Sequence, residues 1–154
     1  MPLPGNFVVV SANHTNMALF TENEPGAPVT QQPIGPDLLQ VWTLNPLGGE
    51  AYSIQLAGPQ SFPTMSLDLG NGGVPAVHTP LVVNPVNDSG SQIWNLVEEA
   101  STGNFAIVSS LSNQGLVVDV EGGGGNAGAV IQLFEPYRPP HLNQQWQFRY
   151  TTRL

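Results

Sequence analysis

The sequence predicts an all-β protein made of three repeats of four short strands, closed around a pseudo-threefold axis. Three observations predict it. The three tryptophans of the chain all stand in the tripeptide Gln-x-Trp, as Gln40-Val41-Trp42, Gln92-Ile93-Trp94 and Gln144-Gln145-Trp146, each 52 residues from the next. Each tripeptide opens an alternating, strand-like run, "QVWTLNP", "QIWNLVE" and "QQWQFRY". Helix finds no support, because Gly, Pro, Asn and β-branched residues interrupt every window long enough to form one.

Equal spacing of a rare residue is the mark of an internal repeat. The first strand of each unit reads "GNFVVVS" from Gly5, "AYSIQLA" from Ala51 and "GNFAIVSS" from Gly103, which makes Phe7, Tyr52 and Phe105 equivalent. The second reads "MALF", "TMSLDL" and "GLVVDV", and the third "GAPVTQQP", "HTPLVVNP" and "GAVIQLFEP". The tryptophan run is the fourth. Repeats of about 1–48, 49–100 and 101–154 follow, in one domain spanning 1–154. A single helical turn is expected near Pro36 to Gln40. Four-stranded units of this size cannot each bury an apolar face, so they must close on one another, with the three indoles in the shared core.

Composition limits what such a protein does. The chain has 17 Gly and 15 Pro among 154 residues, a turn-rich balance that still leaves an ordinary hydrophobic share of 40%. It has no cysteine, so disulfides, thiolate metal sites and cysteine nucleophiles are excluded. It has no lysine, and Arg138, Arg149 and Arg153 face eleven carboxylates. Such a chain cannot build the basic patch that nucleic acid or an anionic membrane needs. With 9% charged residues, its surface is covered by neutral polar side chains, which suit a hydroxyl-rich partner.

The N-terminus "MPLPGNFVVVSANH" lacks a basic n-region and has a four-residue apolar run, so a cytoplasmic location is expected, with export by another route left open. No run is long enough for a membrane span. The sequons at Asn13 and Asn87 are read as unused. His14, His78 and His141 fall in different repeats without metal-ligand spacing, and no Gly-x-Ser-x-Gly nucleophile turn occurs, so neither a cofactor, a metal nor an enzymatic activity is expected.

One stretch, "VDVEGGGGNAG" from Val118, satisfies the spacing G-x-G-x-x-G from Gly123. A phosphate cradle needs a helix directly after the glycines. Here they lead into Ala129 to Phe134, a strand that ends at Pro136, so the match is accidental.

Three Gln-x-Trp motifs in three β repeats resemble the ricin-B-type β-trefoil lectins, and the cysteine-free chain is similar to their mushroom members. The resemblance runs from about Gly5 to Tyr150. It implies a galactose site in the third repeat, where Asp119 matches the family's acid, Gln132 its strand amide, Phe134 its stacking aromatic, and Asn143 with Gln144 its closing pair. The residue types suit that chemistry. An aromatic ring covers the C–H face of a pyranose with an axial 4-hydroxyl, an ionised carboxylate accepts from two neighbouring hydroxyls, and an amide both donates and accepts. Gln144 is assigned to orienting Asp119 or the loop. His141 borders the pocket through its neighbour Asn143.

The second repeat keeps Asp68 and Gln92, with Ser91 in place of the Asn and Asn84 where the aromatic is expected; His78 is assigned to this site. The first has Phe20 or Thr21 in place of the acid and Leu39 before Gln40, and its Gln31 and Gln32 cannot replace a carboxylate. The resemblance thus implies a lectin for terminal galactose or N-acetylgalactosamine glycans, agglutinating as a homodimer, with a defensive role. Two alternatives stay beside it. One is a β-trefoil protease inhibitor acting through a loop such as Thr21 to Gly26 or Asn71 to Pro80, and the other a scaffold without ligand.

Overall fold

A computed structural model of the protein describes residues 5–36, 38–57 and 63–152. The described residues contain twelve strands and no α-helix. The first repeat holds β1 (Gly5–Ser11), β2 (Met17–Thr21), β3 (Val29–Pro33) and β4 (Val41–Gly48). The second holds β5 (Ala51–Leu56), β6 (Met65–Leu69), β7 (Leu81–Pro85) and β8 (Trp94–Glu98). The third holds β9 (Phe105–Ser109), β10 (Val117–Val120), β11 (Ala129–Phe134) and β12 (Trp146–Tyr150). The turn expected near Pro36 is a 3-10 turn at Leu38–Gln40; Asp37 lies outside the described residues. Equivalent turns at Gly90–Gln92 and Leu142–Gln144, which sequence reasoning did not anticipate, precede the other two tryptophans.

The first and fourth strands of each repeat pair around a closed circuit, β1 with β4, β4 with β5, β5 with β8, β8 with β9, β9 with β12 and β12 with β1, all antiparallel. Closure leaves this six-stranded barrel without an open edge. The second and third strands form three hairpins, β2 with β3, β6 with β7 and β10 with β11. They touch one another in cyclic order, through the Pro28–Val82 bridge, the Pro80–Gln132 bridge and the pairing of Ala129 with Gln31. The fold is a β-trefoil.

The threefold rule extends to single atoms. Phe7 pairs with Trp42, Tyr52 with Trp94 and Phe105 with Trp146. Each indole is fully buried, and its N–H donates to a carbonyl on the second strand of its own repeat: Leu19 at 3.2 Å, Leu67 at 3.1 Å and Val118 at 3.1 Å. The indole therefore joins barrel to hairpin. Burying roughly 200 Å² of indole at about 25 cal/mol per Å² contributes on the order of 5 kcal/mol for each ring.

The glutamine two residues earlier performs a second repeated task. The Gln40 amide donates to the Pro33 carbonyl at 2.9 Å and accepts from the Gly35 N–H at 3.0 Å. Gln92 does the same with Pro85 (3.0 Å) and Asn87 (3.1 Å), and Gln144 with Glu135 (2.8 Å) and Tyr137 (2.9 Å). A carboxamide suits this position because one group must both donate and accept. Replacing Gln40 by Leu removes the side-chain partner of the Gly35 N–H and the Pro33 carbonyl, two hydrogen bonds that are part-buried. It is expected to lower the unfolding free energy by about 1–2 kcal/mol with an unchanged denaturant slope, as read by urea unfolding.

Candidate functional site

Strand register builds the third-repeat site. In the β10–β11 hairpin Asp119 lies opposite Gln132 and Val117 opposite Phe134. Side chains alternate along a strand, so Val118 and Val120 enter the core while Asp119, Gln132 and Phe134 share the other face. The turn at Leu142–Gln144 then carries Asn143 and Gln144 against the hairpin.

Asp119 is 3% exposed and accepts three side-chain hydrogen bonds, from Gln144 Nε2 at 3.0 Å, Asn143 Nδ2 at 3.1 Å and Gln132 Nε2 at 3.3 Å. Burial pushes its carboxyl above the ordinary aspartate value; the three amides and the nearby His78 act in the opposite sense. An ionised carboxylate has about four acceptor positions, so roughly one remains for an incoming donor. Gln144, also 3% exposed, spends its amide on Asp119, Glu135 and Tyr137 and is a positioning residue.

Phe134 is half-buried and lines a cavity of about 520 Å³ together with Asp119, Gln132 and Asn143. Its ring meets His78 edge-on at 5.3 Å and Tyr137 at 5.8 Å, and Tyr137 stacks on His141 at 4.1 Å and 18°. Phe134 thus belongs to a row of rings, His78, Phe134, Tyr137 and His141, all of which line the cavity. His141 lies where the sequence put it. Tyr137, Glu121 and Asn13 also line the cavity, and sequence reasoning missed all three. Tyr137 is legible only once its backbone N–H is known to be held by Gln144, and Asn13 arrives from the first repeat, 110 positions away.

His78 requires a correction. Assigned by sequence to the second repeat's site, it lies in the third repeat's cavity, with Nδ1 3.1 Å from Gln132 Oε1. The hairpin that carries it packs on the next repeat, through the Pro80–Gln132 bridge and the His78 N–H to the Leu133 carbonyl at 2.8 Å.

The glycine run forms the other wall. Its carbonyls are held by first-repeat side chains: Asn13 Nδ2 donates to Gly123 at 3.0 Å, and Gln31 Nε2 to Gly124 and Asn126 at 3.0 and 3.1 Å. A Cβ at Gly125 would stand 2.8 Å from the His14 ring, so any other residue there would have to displace that ring. Strand β11, not a helix, follows the glycines, as expected.

The second repeat repeats half of this arrangement. Asp68 accepts from Asn84 Nδ2 at 3.1 Å, Gln92 Nε2 at 3.1 Å and the Leu69 N–H at 2.7 Å. Asn84 faces Ser66 as Phe134 faces Val117, so it holds the register of the aromatic and turns its amide to the carboxylate. The cavity there, about 560 Å³, has no aromatic lining. In the first repeat Phe20, paired with Thr30, takes the register of Asp119, paired with Gln132. Thr21 is one place further on, and the cavity of about 400 Å³ has no buried carboxylate in its lining. Among the described residues, no three His, Cys, Asp or Glu side chains gather where they could hold a metal ion.

The family described as ricin-type beta-trefoil lectin domain-like matches residues 40–134, from the first motif glutamine to Phe134. The chain belongs to this ricin-type β-trefoil lectin family. No curated protein matches it in sequence. Among solved structures, this trefoil is similar to ThreeFoil, a designed 3-fold symmetric protein, with 23% identity, a TM-score of 0.83, and coverage of 96% of this chain and 99% of that one. It is similar to the ricin B-like lectin of Macrolepiota procera, solved in complex with lactose, at 19% identity and TM-score 0.78, covering 98% and 100%. It also matches an exo-beta-1,3-galactanase from Clostridium thermocellum at 20% identity and TM-score 0.83, covering 98% of this trefoil but 31% of that chain. At such identities the likeness shows the shared fold.

The environment of Asp119 makes a titration prediction. Its raised folded-state pKa means that the protonated form stabilises the fold below the ordinary value, and that this contribution is lost as pH rises through the raised one. Carboxyl ¹³C NMR is expected to place its midpoint above the usual aspartate range, and Asn143→Ala, which removes one donor, to move it higher still.

Proposed function

We propose that the protein is a lectin whose third repeat binds terminal galactose or N-acetylgalactosamine on neutral glycans. The observation that carries this reading is the buried Asp119 carboxylate, fixed by three amides beside the open ring of Phe134. A galactopyranoside presents a contiguous C–H patch on one face and two adjacent hydroxyls at its edge. The ring suits the first, while the remaining acceptor position of Asp119 and the Asn143 amide suit the second. A formal net charge of −8, with Glu121 also at the cavity, favours neutral over sialylated or sulfated sugars.

This is binding chemistry. Asp119 is anchored as an acceptor by side chains that hold it still, and we read the protein as non-enzymatic. A shallow single-sugar site is weak, so agglutination depends on presenting several sites at once. The second repeat supplies one through Asp68 and Asn84, without a platform, and a homodimer supplies more. Agglutination of glycoproteins, with a defensive role, is the biology this reading implies.

The lactose bound to the Macrolepiota procera lectin makes lactose the probe of choice. In isothermal titration the folded wild type is expected to bind it, Asp119→Ala to lose the third-repeat site, and Phe134→Ala to bind about tenfold more weakly through loss of the C–H to ring contact. Absence of heat from folded wild type with both lactose and N-acetylgalactosamine would sink the reading.

A further inference from the structure

The three hairpins place one residue of each repeat against the next. The Gly26 N–H donates to the Val83 carbonyl at 2.7 Å, the His78 N–H to Leu133 at 2.8 Å and the Gly128 N–H to Gln31 at 2.7 Å. These positions are equivalent, and all have left-handed backbone, with φ of +79°, +71° and +84°. Glycine adopts that conformation without strain, whereas a residue with a Cβ does not. Two repeats keep glycine and one has histidine, so the backbone gives no reason for the histidine; the reason lies in its side chain.

That side chain is turned into the sugar cavity of the third repeat, edge-on to Phe134. Its tautomer follows from its neighbour. Asp119 only accepts, so Gln132 must point Nε2 at it and Oε1 at His78. A carbonyl oxygen also only accepts, so His78 Nδ1 carries the proton and donates. In the neutral ring Nε2 is then an acceptor.

We propose that His78 is a specificity-determining residue of the third-repeat site: contributed by the second repeat, it accepts a hydrogen bond through Nε2 from a ligand hydroxyl or amide N–H beyond the pair taken by Asp119 and Asn143. The proposal rests on the lectin reading of that site. It makes the ligand a sugar with a donor at one further ring position, and it makes the site the product of two repeats. The second repeat's own cavity has Gly26 at the equivalent place, and so no such reader.

His78→Gly tests this with the backbone kept, since glycine adopts the left-handed conformation without strain, and circular dichroism and thermal unfolding check that the variant is folded. Wild type and His78→Gly, both carrying Asp68→Ala to silence the second repeat, are titrated with methyl galactoside and its 2-deoxy and 6-deoxy analogues. The variant is expected to bind the parent sugar about fivefold to tenfold more weakly, the scale of one hydrogen bond. One deoxy analogue should lose that factor against wild type and lose nothing further against the variant. Equal affinities of both proteins for all three sugars would overturn the proposal. So would a variant that weakens every sugar by the same factor, which would reduce His78 to a support for Gln132. If wild type binds none of them, the lectin reading falls first, a result that differs from both.

Discussion

One side-chain amide, that of the glutamine two places before each tryptophan, sets the geometry on which the rest depends. In every repeat it ties the chain leaving the third strand to the turn that opens the fourth. In the second and third repeats the same Nε2 also reaches the carboxylate, Gln92 to Asp68 at 3.1 Å and Gln144 to Asp119 at 3.0 Å. Fold and site therefore share an atom. A buried carboxylate is costly unless hydrogen-bonded, and the donor that offsets the cost is already in place for structural reasons. In the first repeat, where Phe20 stands in place of the acid, Gln40 turns the same hydrogen-bonding capacity on the Gln32 carbonyl at 3.3 Å.

This division explains how the repeats diverge. Positions that close the barrel keep their chemistry: Trp42, Trp94 and Trp146, their glutamines, and the aromatic partners Phe7, Tyr52 and Phe105. Positions that face the cavities change freely, as Gln32, Asn84 and Phe134 do at one register, and Phe20, Asp68 and Asp119 at another. A core indole lost from any repeat would cost much of the marginal stability of a domain, whereas half-buried cavity positions such as Gln32, Asn84 and Phe134 are exchanged at a smaller cost.

The strands and the repeats were legible because they are local, an alternating run and a fixed spacing, whereas Asp119, Phe134 and Asn143 came from the family resemblance, and the structure brings them to one cavity. What escaped is what crosses between repeats. Nothing along the sequence near His78 says that its hairpin leans on β11 rather than on its own repeat, and nothing near Asn13 says that its amide will hold Gly123. The tandem glycines matched a phosphate-loop spacing by pattern. Their surroundings differ one by one: Gly122 and Gly123 have left-handed backbone, and Gly125 lies against the His14 ring, over a hundred positions upstream.

The grip of Asn13 and Gln31 on the glycine loop has a consequence for how such a protein can arise and be made. The third cavity has a wall held by the first repeat and a side chain supplied by the second, so no single repeat encloses it. The cavity is complete only once residues of all three repeats have come together. Three separate copies of one repeat, gathered around an axis, would nevertheless complete three pockets, because each would lend its hairpin to a neighbour. Fusing them into one chain leaves that exchange intact and frees each pocket to change by itself.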